Sequence, residues 1–555
     1  MKKILSLTMT ALLLSGCGEN PSEDITTNVD DGKYVVSINA EEEINVDIEK
    51  ERYSPKEQVK FEVTCDGSGF EVNLKTKSEE EIEYYGNNPF TFSMPSEDVN
   101  IYVTKTTFDE RNIILKAPLF SDEHCERTSP INSKEQATTG IQRFINLVGE
   151  DEFDIWLSTG DRSLTGTIAA DQAWLDAYNE ASEDAQEKLF FCHGNHDVYW
   201  SGCASRQEHY NFFNKIGIYK DDEVDGQPEK GNRHKIVNGL EFLAIDITTY
   251  DGKINPISNE TLSWAKNILD KTDKTKPVFV LSHATAKNTI FGSNDDEYNG
   301  RWGSSQDLYD LIENYPNVIL FTGHTHYDGH DERNIYQGNF TAVNVPTLAG
   351  GNSIDYFYNG IQEPLYNEDS LGNRTYYNSG VVDGLNEKDM YESSQGLYVE
   401  VDKYYNTRIT RFDLKHGVEM KTPWVIEAPK EDNSHLLKYS EKVRRRNDAG
   451  PILEGEAYYT QNSGRITVTF DAFTHETDMV YAYEVQVFKG KTPNEIGDLD
   501  KPNERKVIFG DWYKNYPTSN KYTYSFQQNH SGDVTVRVIG LDSFGKYSIA
   551  VADKK

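Results

Sequence analysis

The feature that most constrains this fold is a repeated pairing of patterns: short apolar runs end in blocks built from Gly, Asp, Asn and His. Residues 153–157 lead to Gly160-Asp161, and residues 188–192 lead to Gly194-Asn195-His196-Asp197. Residues 278–281 lead to His283, and residues 318–321 lead to Gly323-His324-Thr325-His326. Runs this short read as strands buried on both faces. Helical spacing lies between and around them. Ser133-Lys134-Glu135-Gln136 reads as a capping box opening a helix whose apolar residues include Ile141, Phe144, Ile145 and Val148, and a second helix is predicted over residues 261–270. Alternating strands and helices predict an α/β domain. In open sheets of that class ligands bind beyond the carboxyl ends of the strands, which is where all four blocks fall.

The residue types suit divalent metal chemistry. Two divalent metals about 3.5–4 Å apart can activate a water and compensate negative charge on a substrate. Such a pair needs carboxylate oxygen, imidazole nitrogen and one bridging group. Taken singly, each residue has a plainer reading: Asp122 or Asp161 as a loop carboxylate, His283 as a hydrogen-bonded core histidine. His324 and His326 alternate, so an extended segment places both on one face, as a chelating pair requires.

The order Asp122-Glu123-His124, Gly160-Asp161, Gly194-Asn195-His196-Asp197, Ser282-His283, Gly323-His324-Thr325-His326 resembles the calcineurin-like metallophosphoesterase family, with all five blocks in the family's order. The resemblance implies a four-layer α/β sandwich and two divalent metal ions, with Mn, Fe and Zn all open. It implies that Asp122, His124 and His326 bind the first metal, that Asp161 bridges both, and that Asn195, His283 and His324 bind the second. It further implies a metal-bridging hydroxide as nucleophile, His196 over the phosphate as transition-state stabiliser and proton donor, and Asp197 orienting His196. Two departures narrow the branch. Purple acid phosphatases carry Tyr where Leu164 stands and Gly where His124 stands; the usual nucleotidase branch carries Glu at Asp197. Many relatives carry an acid at the Leu164 position. His193 and His330 match no family position and read as supporting or surface residues. Tyr199, Trp200 and Trp302 stand beside the blocks, as packing or as walls for a base or sugar, and residues 284–301 read as a loop over the site.

Around this core a chain of 555 residues has room for further domains. Lys2, Lys3 and the apolar run 4–14 form an export signal too short to span a bilayer. Leu14-Ser15-Gly16-Cys17 resembles the lipobox of bacterial lipoproteins, which implies cleavage before Cys17, a lipid on Cys17, and anchorage at the extracytoplasmic face of the cell membrane. Residues 1–17 are therefore expected as signal peptide and 18–33 as a polar tether. Residues 34–106 alternate apolar and polar residues at 34–38 and 44–48, with another strand at 59–64. Their closing run, residues 90–99, resembles the end of an internalin-type B-repeat, so a small β-domain is expected. Residues 108–416 hold the catalytic domain. Residues 417–447 read as a charged linker ending in solvated Arg444-Arg445-Arg446. Residues 448–555, with strands at 466–470, 481–487 and 534–539, resemble a fibronectin type III sandwich. Cys65, Cys125, Cys192 and Cys203 remain; Cys192 with Cys203, Cys125 with Cys192, and unpaired thiols all stay open.

Asp and Glu outnumber Lys and Arg by 91 to 56, a formal charge of −35, which repels polyanions and weighs against a nucleic-acid partner. The leading expectation is an enzyme hydrolysing small phosphomonoesters or phosphodiesters. Its alternatives are a cyclic-nucleotide or nucleic-acid phosphodiesterase of the same fold, and a non-enzymatic surface binding protein with a vestigial metal site. The complete ligand set weighs against the last.

Overall fold

The computed structural model describes residues 32–555, apart from 66, 130, 150–151, 220–225, 251–254, 294–302, 350–365, 369–373, 377–391, 441–442, 445–449, 463, 498–499, 511–517 and 528–531. The signal peptide, Cys17, most of the tether, Trp302 and much of the loop at 284–301 lie outside the described residues. The chain divides into two compact units: residues 71–105 with the segment before residue 67, and residues 67–70 with 106–555.

The first unit is all β. One sheet orders Arg52–Tyr53, Tyr34–Ala40, Val99–Thr106 and Gly69–Thr76; a second orders Ile44–Ile48, Gln58–Cys65 and Phe90–Ser93. Strict alternation along Gln58–Cys65 buries Val59, Phe61, Val63 and Cys65 and exposes the residues between them.

In the second unit two sheets lie between helices. The first sheet runs Leu189–Phe191, Trp156–Ser158, Ile113–Phe120, Gln395–Asp402, Thr407–Asp413 and Val418–Glu419, with Trp424–Ile426 also paired to Thr407–Asp413. Its first three strands are parallel and the rest antiparallel. The second sheet runs Arg233–Val237, Leu240–Ala244, Val278–Ser282, Val318–Thr322, Thr341–Asn344 and Ile335–Gln337; its four inner strands are parallel and its edges antiparallel.

Period-2 alternation builds the layers. Leu115, Ala117, Leu119, Ile155, Leu157 and Phe190 of the first sheet meet Phe242, Phe279, Leu281 and Phe321 of the second in one buried core. Their neighbours Phe120, Trp156, Leu189 and Phe191 point the other way, onto the helices Ser133–Val148, Ile168–Ala181 and Arg206–Lys215. Leu243, Val280 and Leu320 likewise pack on Asn259–Leu269 and Gln306–Ile312. The layers make a helix–sheet–sheet–helix α/β sandwich, with β-rich regions before and after it in the chain. The first helix begins one residue earlier than its capping box suggests: Asn132 accepts from Glu135 N, so Ser133 is already helical.

The segment 417–447 is no solvated linker. Val418–Glu419 and Trp424–Ile426 extend the first sheet past residue 416. Arg444 is buried: it pairs with Glu332 and lies 4.8 Å from the Phe544 ring. A charge run reads as solvent-facing only while no buried acid awaits it, and Glu332 is such an acid. It also takes Arg411 at 2.6 Å and Trp424 Nε1 at 2.9 Å. Burial works against the Glu332 carboxylate, but the Arg411 and Arg444 charges hold its pKa below the usual range. Residues 457–554 then form a sandwich of two four-stranded sheets over a core that includes Val468, Phe470, Val485 and Val536. Arg411 is 1% exposed, so removing its side chain strands part of a buried carboxylate. Arg411→Ala is expected to lower stability by about 3–5 kcal/mol. Chemical denaturation checks this as a lower midpoint at unchanged slope.

Candidate metal centre

The five sequence blocks converge beyond the carboxyl ends of the parallel strands. The candidate ligand atoms of Asp122, His124, Asp161 and His326 lie within 4.8 Å of one another, as do those of Asp161, His283 and His324. Asp161 belongs to both groups, and all of these residues are buried. Asn195 joins the second group: its Oδ1 is 3.1 Å from His283 Nε2.

Local backbone geometry explains how side chains from separate strands meet in one place. Asp122 (φ 52°), His124 (φ 43°), Asp161 (φ 52°), His324 (φ 73°) and His326 (φ 54°) all adopt left-handed conformations. A non-glycine residue there costs on the order of 1–3 kcal/mol and persists where its surroundings fix it. Each such residue turns the chain sharply off its strand and aims its side chain inward. Two glycines of the motifs serve close approach. A Cβ on Gly194 would sit 2.1 Å from Asp161 Oδ1, and one on Gly323 would sit 2.1 Å from Ser121 Oγ and 2.8 Å from Asp122 Oδ2.

Hydrogen bonds then fix which atoms face the centre. Asp122 Oδ2 accepts from Ser121 Oγ at 2.6 Å and from His324 N at 3.1 Å. Its Oδ1 lies 2.9 Å from His326 Nε2, so both atoms face the same point of the centre. His283 Nε2 lies 3.2 Å from Asp161 Oδ2 and 4.0 Å from Asp122 Oδ1. Backbone carbonyls near the Gly160-Asp161 turn take the other ring nitrogen of three histidines: His283 Nδ1 to Thr159 O at 2.8 Å, His124 Nδ1 to Ser163 O at 3.1 Å, and His196 Nδ1 to Leu164 O at 2.9 Å. A carbonyl only accepts, so Nδ1 carries the proton in each ring and Nε2 is left for the centre.

The electrostatics demand positive charge. Burial would raise the Asp122 and Asp161 carboxyls; the neighbouring His326 and His283 imidazoles bring both well below the usual range. Burial alone would depress His283, but the Asp161 carboxylate beside it carries its pKa up to about 10. His124 is pushed down by burial and by the His196 ring 5.0 Å away. Buried carboxylate oxygens beside imidazole Nε2 atoms form a donor set that fits divalent cations.

One expected role is corrected. Asp197 does not orient His196. Its carboxylate accepts from Gly194 N (2.8 Å), Asp161 N (3.1 Å) and Ser163 N (3.1 Å) and pairs with Arg162 Nη1 at 3.2 Å. As the third residue of the turn Asn195–Val198 it reaches back to the amide that precedes that turn, which draws it away from the imidazole. Arg162, which no motif singles out, is fully buried between Asp197 and Asp171 and stacks 4.6 Å from the Phe191 ring. Nothing in its spacing marks it, because its partners come from separate elements. His193 is buried 3.6 Å from Asp246, and His330 is held by Asp328 at 2.6 Å; neither belongs to either ligand group. Tyr199 is committed inward, its hydroxyl on the Ile247 carbonyl, whereas Trp200 is 51% exposed with its ring 5.2 Å from His196. Cys125, Cys192 and Cys203 are free thiols, so neither of the bridges considered for the Gly-Asn-His-Asp loop forms.

Residues 119–328 match the family model for calcineurin-like phosphoesterases. This chain carries a calcineurin-like phosphoesterase domain. It is a metal-dependent phosphoesterase, with a cluster of Asp and His residues able to bind metal. No curated protein matches the sequence. Solved structures similar to it include a purple acid phosphatase from yellow lupin (Lupinus luteus) seeds, at 12% identity over 68% of this chain and 74% of that one, with a TM-score of 0.35. A 5'-nucleotidase precursor from Thermus thermophilus is 13% identical over 74% of this chain and 88% of that one, with a TM-score of 0.25. Phosphopantetheinyl hydrolase from Mycobacterium tuberculosis is 11% identical over 42% of this chain and 89% of that one, with a TM-score of 0.29.

The Gly194 contact has a direct consequence. Gly194→Ala must displace the Asp161 carboxylate, and an expected loss of about 10–100-fold in metal affinity follows from disturbing a ligand's support. Titration of the metal-depleted variant with Mn²⁺ or Zn²⁺ checks it; wild-type affinity would show that the turn absorbs the methyl group.

Proposed function

We propose that this phosphoesterase holds two divalent cations and hydrolyses small phosphomonoesters or phosphodiesters. The observation that carries this reading is the membership of Asp161 in both ligand groups. Asp122, His124 and His326 would hold one ion, Asn195, His283 and His324 the other, and Asp161 both. Ions there would supply an activated water and charge compensation for the phosphate. The chain's own residues supply the rest. The carbonyls of Thr159 and Ser163 keep the Nε2 atoms of His283 and His124 directed inward. His196 belongs to neither ligand group; its backbone N donates to Asp161 Oδ1 at 2.8 Å and its Nδ1 to Leu164 O. Its Nε2 is therefore the atom offered to substrate, and as an imidazolium it donates to the phosphate or to the leaving oxygen.

Side-by-side metal analysis and kinetics test the assignment. His196→Ala should retain two metals per chain and lose about 10²–10⁴-fold in kcat. Asp161→Asn should lose metal as well, because the shared carboxylate is gone. Equal metal loss in the two variants would make His196 a ligand and defeat the assignment.

We further propose that the chain is a lipoprotein anchored through Cys17 at the extracytoplasmic face of the membrane, on the strength of the lipobox behind a short apolar run. Among the described residues no helix is long and apolar enough to cross a membrane. Cys17→Ser should move the protein from the membrane fraction to the soluble fraction; continued membrane association would refute the anchor.

A further inference from the structure

We propose that Glu126 is a positioning residue for His196, acting through the peptide group that joins Leu164 to Thr165. The proposal rests on the reading of His196 as the group that meets the phosphate.

An imidazole that must hold one aim needs its far nitrogen fixed. Among the described residues no carboxylate does that. Leu164 has no acidic side chain, and Asp197 is taken up by three backbone amides and Arg162. The partner of His196 Nδ1 is the Leu164 carbonyl, at 2.9 Å. Aim and tautomer at His196 therefore depend on where one backbone oxygen stands.

That oxygen belongs to a turn at the surface: Thr165 is exposed and Leu164 half-buried. The turn is clamped from the other side by a single carboxylate oxygen. Glu126 Oε1 accepts from Leu164 N at 2.7 Å, from Thr165 Oγ1 at 2.8 Å, and from Thr165 N. Its second oxygen is buried without a hydrogen-bond partner. The Thr165 N–H and the Leu164 C=O are opposite edges of the same planar peptide. Pinning the N–H to Glu126 thus fixes the direction of the C=O that holds His196. The negative carboxylate also polarises the peptide, so that its carbonyl oxygen becomes a stronger acceptor. Glu126 does for His196, one peptide removed, what a directly bonded carboxylate would do. It stands two residues after His124, on the segment that also carries Asp122, so one short stretch supplies two candidate ligands and this clamp.

The test is a double-mutant cycle on the full-length, metal-loaded protein, with Glu126→Ala and Glu126→Gln made in wild type and in His196→Ala. Rates are read on the 4-nitrophenyl and methyl esters of whichever phosphate class the wild type turns over, with metal content measured beside them. Glu126→Ala is expected to lower kcat about 10–100-fold on the methyl ester, to cost less on the 4-nitrophenyl ester, whose leaving group needs no proton, and to leave both metals bound. Glu126→Gln keeps an accepting oxygen and should recover part of the loss; it carries the test should the alanine variant not fold. In the His196→Ala background the Glu126 substitutions should cost nothing further. A penalty that persists in full in that background, or that falls equally on both esters with loss of metal, would overturn the proposal and leave Glu126 a prop for the loop or for the metals. An unchanged rate in His196→Ala alone would instead overturn the role of His196, and this proposal with it.

Discussion

Two buried carboxylates held side by side set the terms for the rest of this structure. Asp122 and Asp161 stand at the ends of adjacent strands, both buried, each raising the energy of the other's charge. Such a pair persists only inside a frame that stabilises it. The frame here is backbone: the amides of His324 and His196 each donate to one of the two carboxylates. Imidazoles supply the remaining compensation at 2.9 and 3.2 Å. The left-handed conformations of both aspartates and of His124, His324 and His326 belong to the same account. An extended strand end would point these side chains to alternate faces of the sheet; the turn brings them to one point. Strain in the backbone and desolvation of the carboxylates are thus two costs of one arrangement, and a bound cation offsets the second directly.

Behind this cluster lies a second buried charge system, and the two are coupled through Asp197. Arg162 links Asp197 to Asp171, and His209 bonds both the Asp171 carboxylate and the Asp197 carbonyl. The guanidinium is sealed by Trp174, Phe191 and Phe213. Buried ion pairs add little net stability against a well-packed apolar substitute. What this one adds is direction. Asp197 can bond the amides of Gly194, Asp161 and Ser163 at once only if its own carboxylate is held, and those three amides set the path of two motif loops. The Gly-Asn-His-Asp block is therefore two devices in sequence: in the proposed function Asn195 and His196 would face the reaction, while Asp197 bonds the frame.

Much of this is legible in the residues alone. The runs at 188–192, 278–281 and 318–321 become strands within a residue or two, and the seven candidate ligands meet because each sits just beyond a strand end. Side chains whose role is set by spacing along one element can be read from sequence. What cannot be read shares one physical cause: partners far apart in the chain, or partners with no side chain. The Leu164 carbonyl that holds His196 leaves no trace in residue identity. Arg162 looks like any charged loop residue until Asp171, Asp197 and three aromatic rings surround it. Arg444 misleads in the opposite direction. Composition places it in solvent, and Glu332, 112 positions away, draws it inside.

The same distinction between local and global charge governs what reaches the site. A net charge of −35 makes the surface as a whole unfavourable to an anionic ester. Screening limits that field to about 8 Å at physiological ionic strength, so repulsion from distant acids acts on the encounter and not on the bound state. At the centre the balance reverses. The buried carboxylates have imidazoles beside them as counter-charge, and cations held among them would present a substrate with a strongly positive region. A polyanion would lie along the acidic surface beyond the Debye length of any such cation and meet repulsion over its whole contact. A small phosphate ester meets it only in transit. In the proposed function, surface charge and site chemistry would therefore select together for a compact substrate, and neither would do so alone.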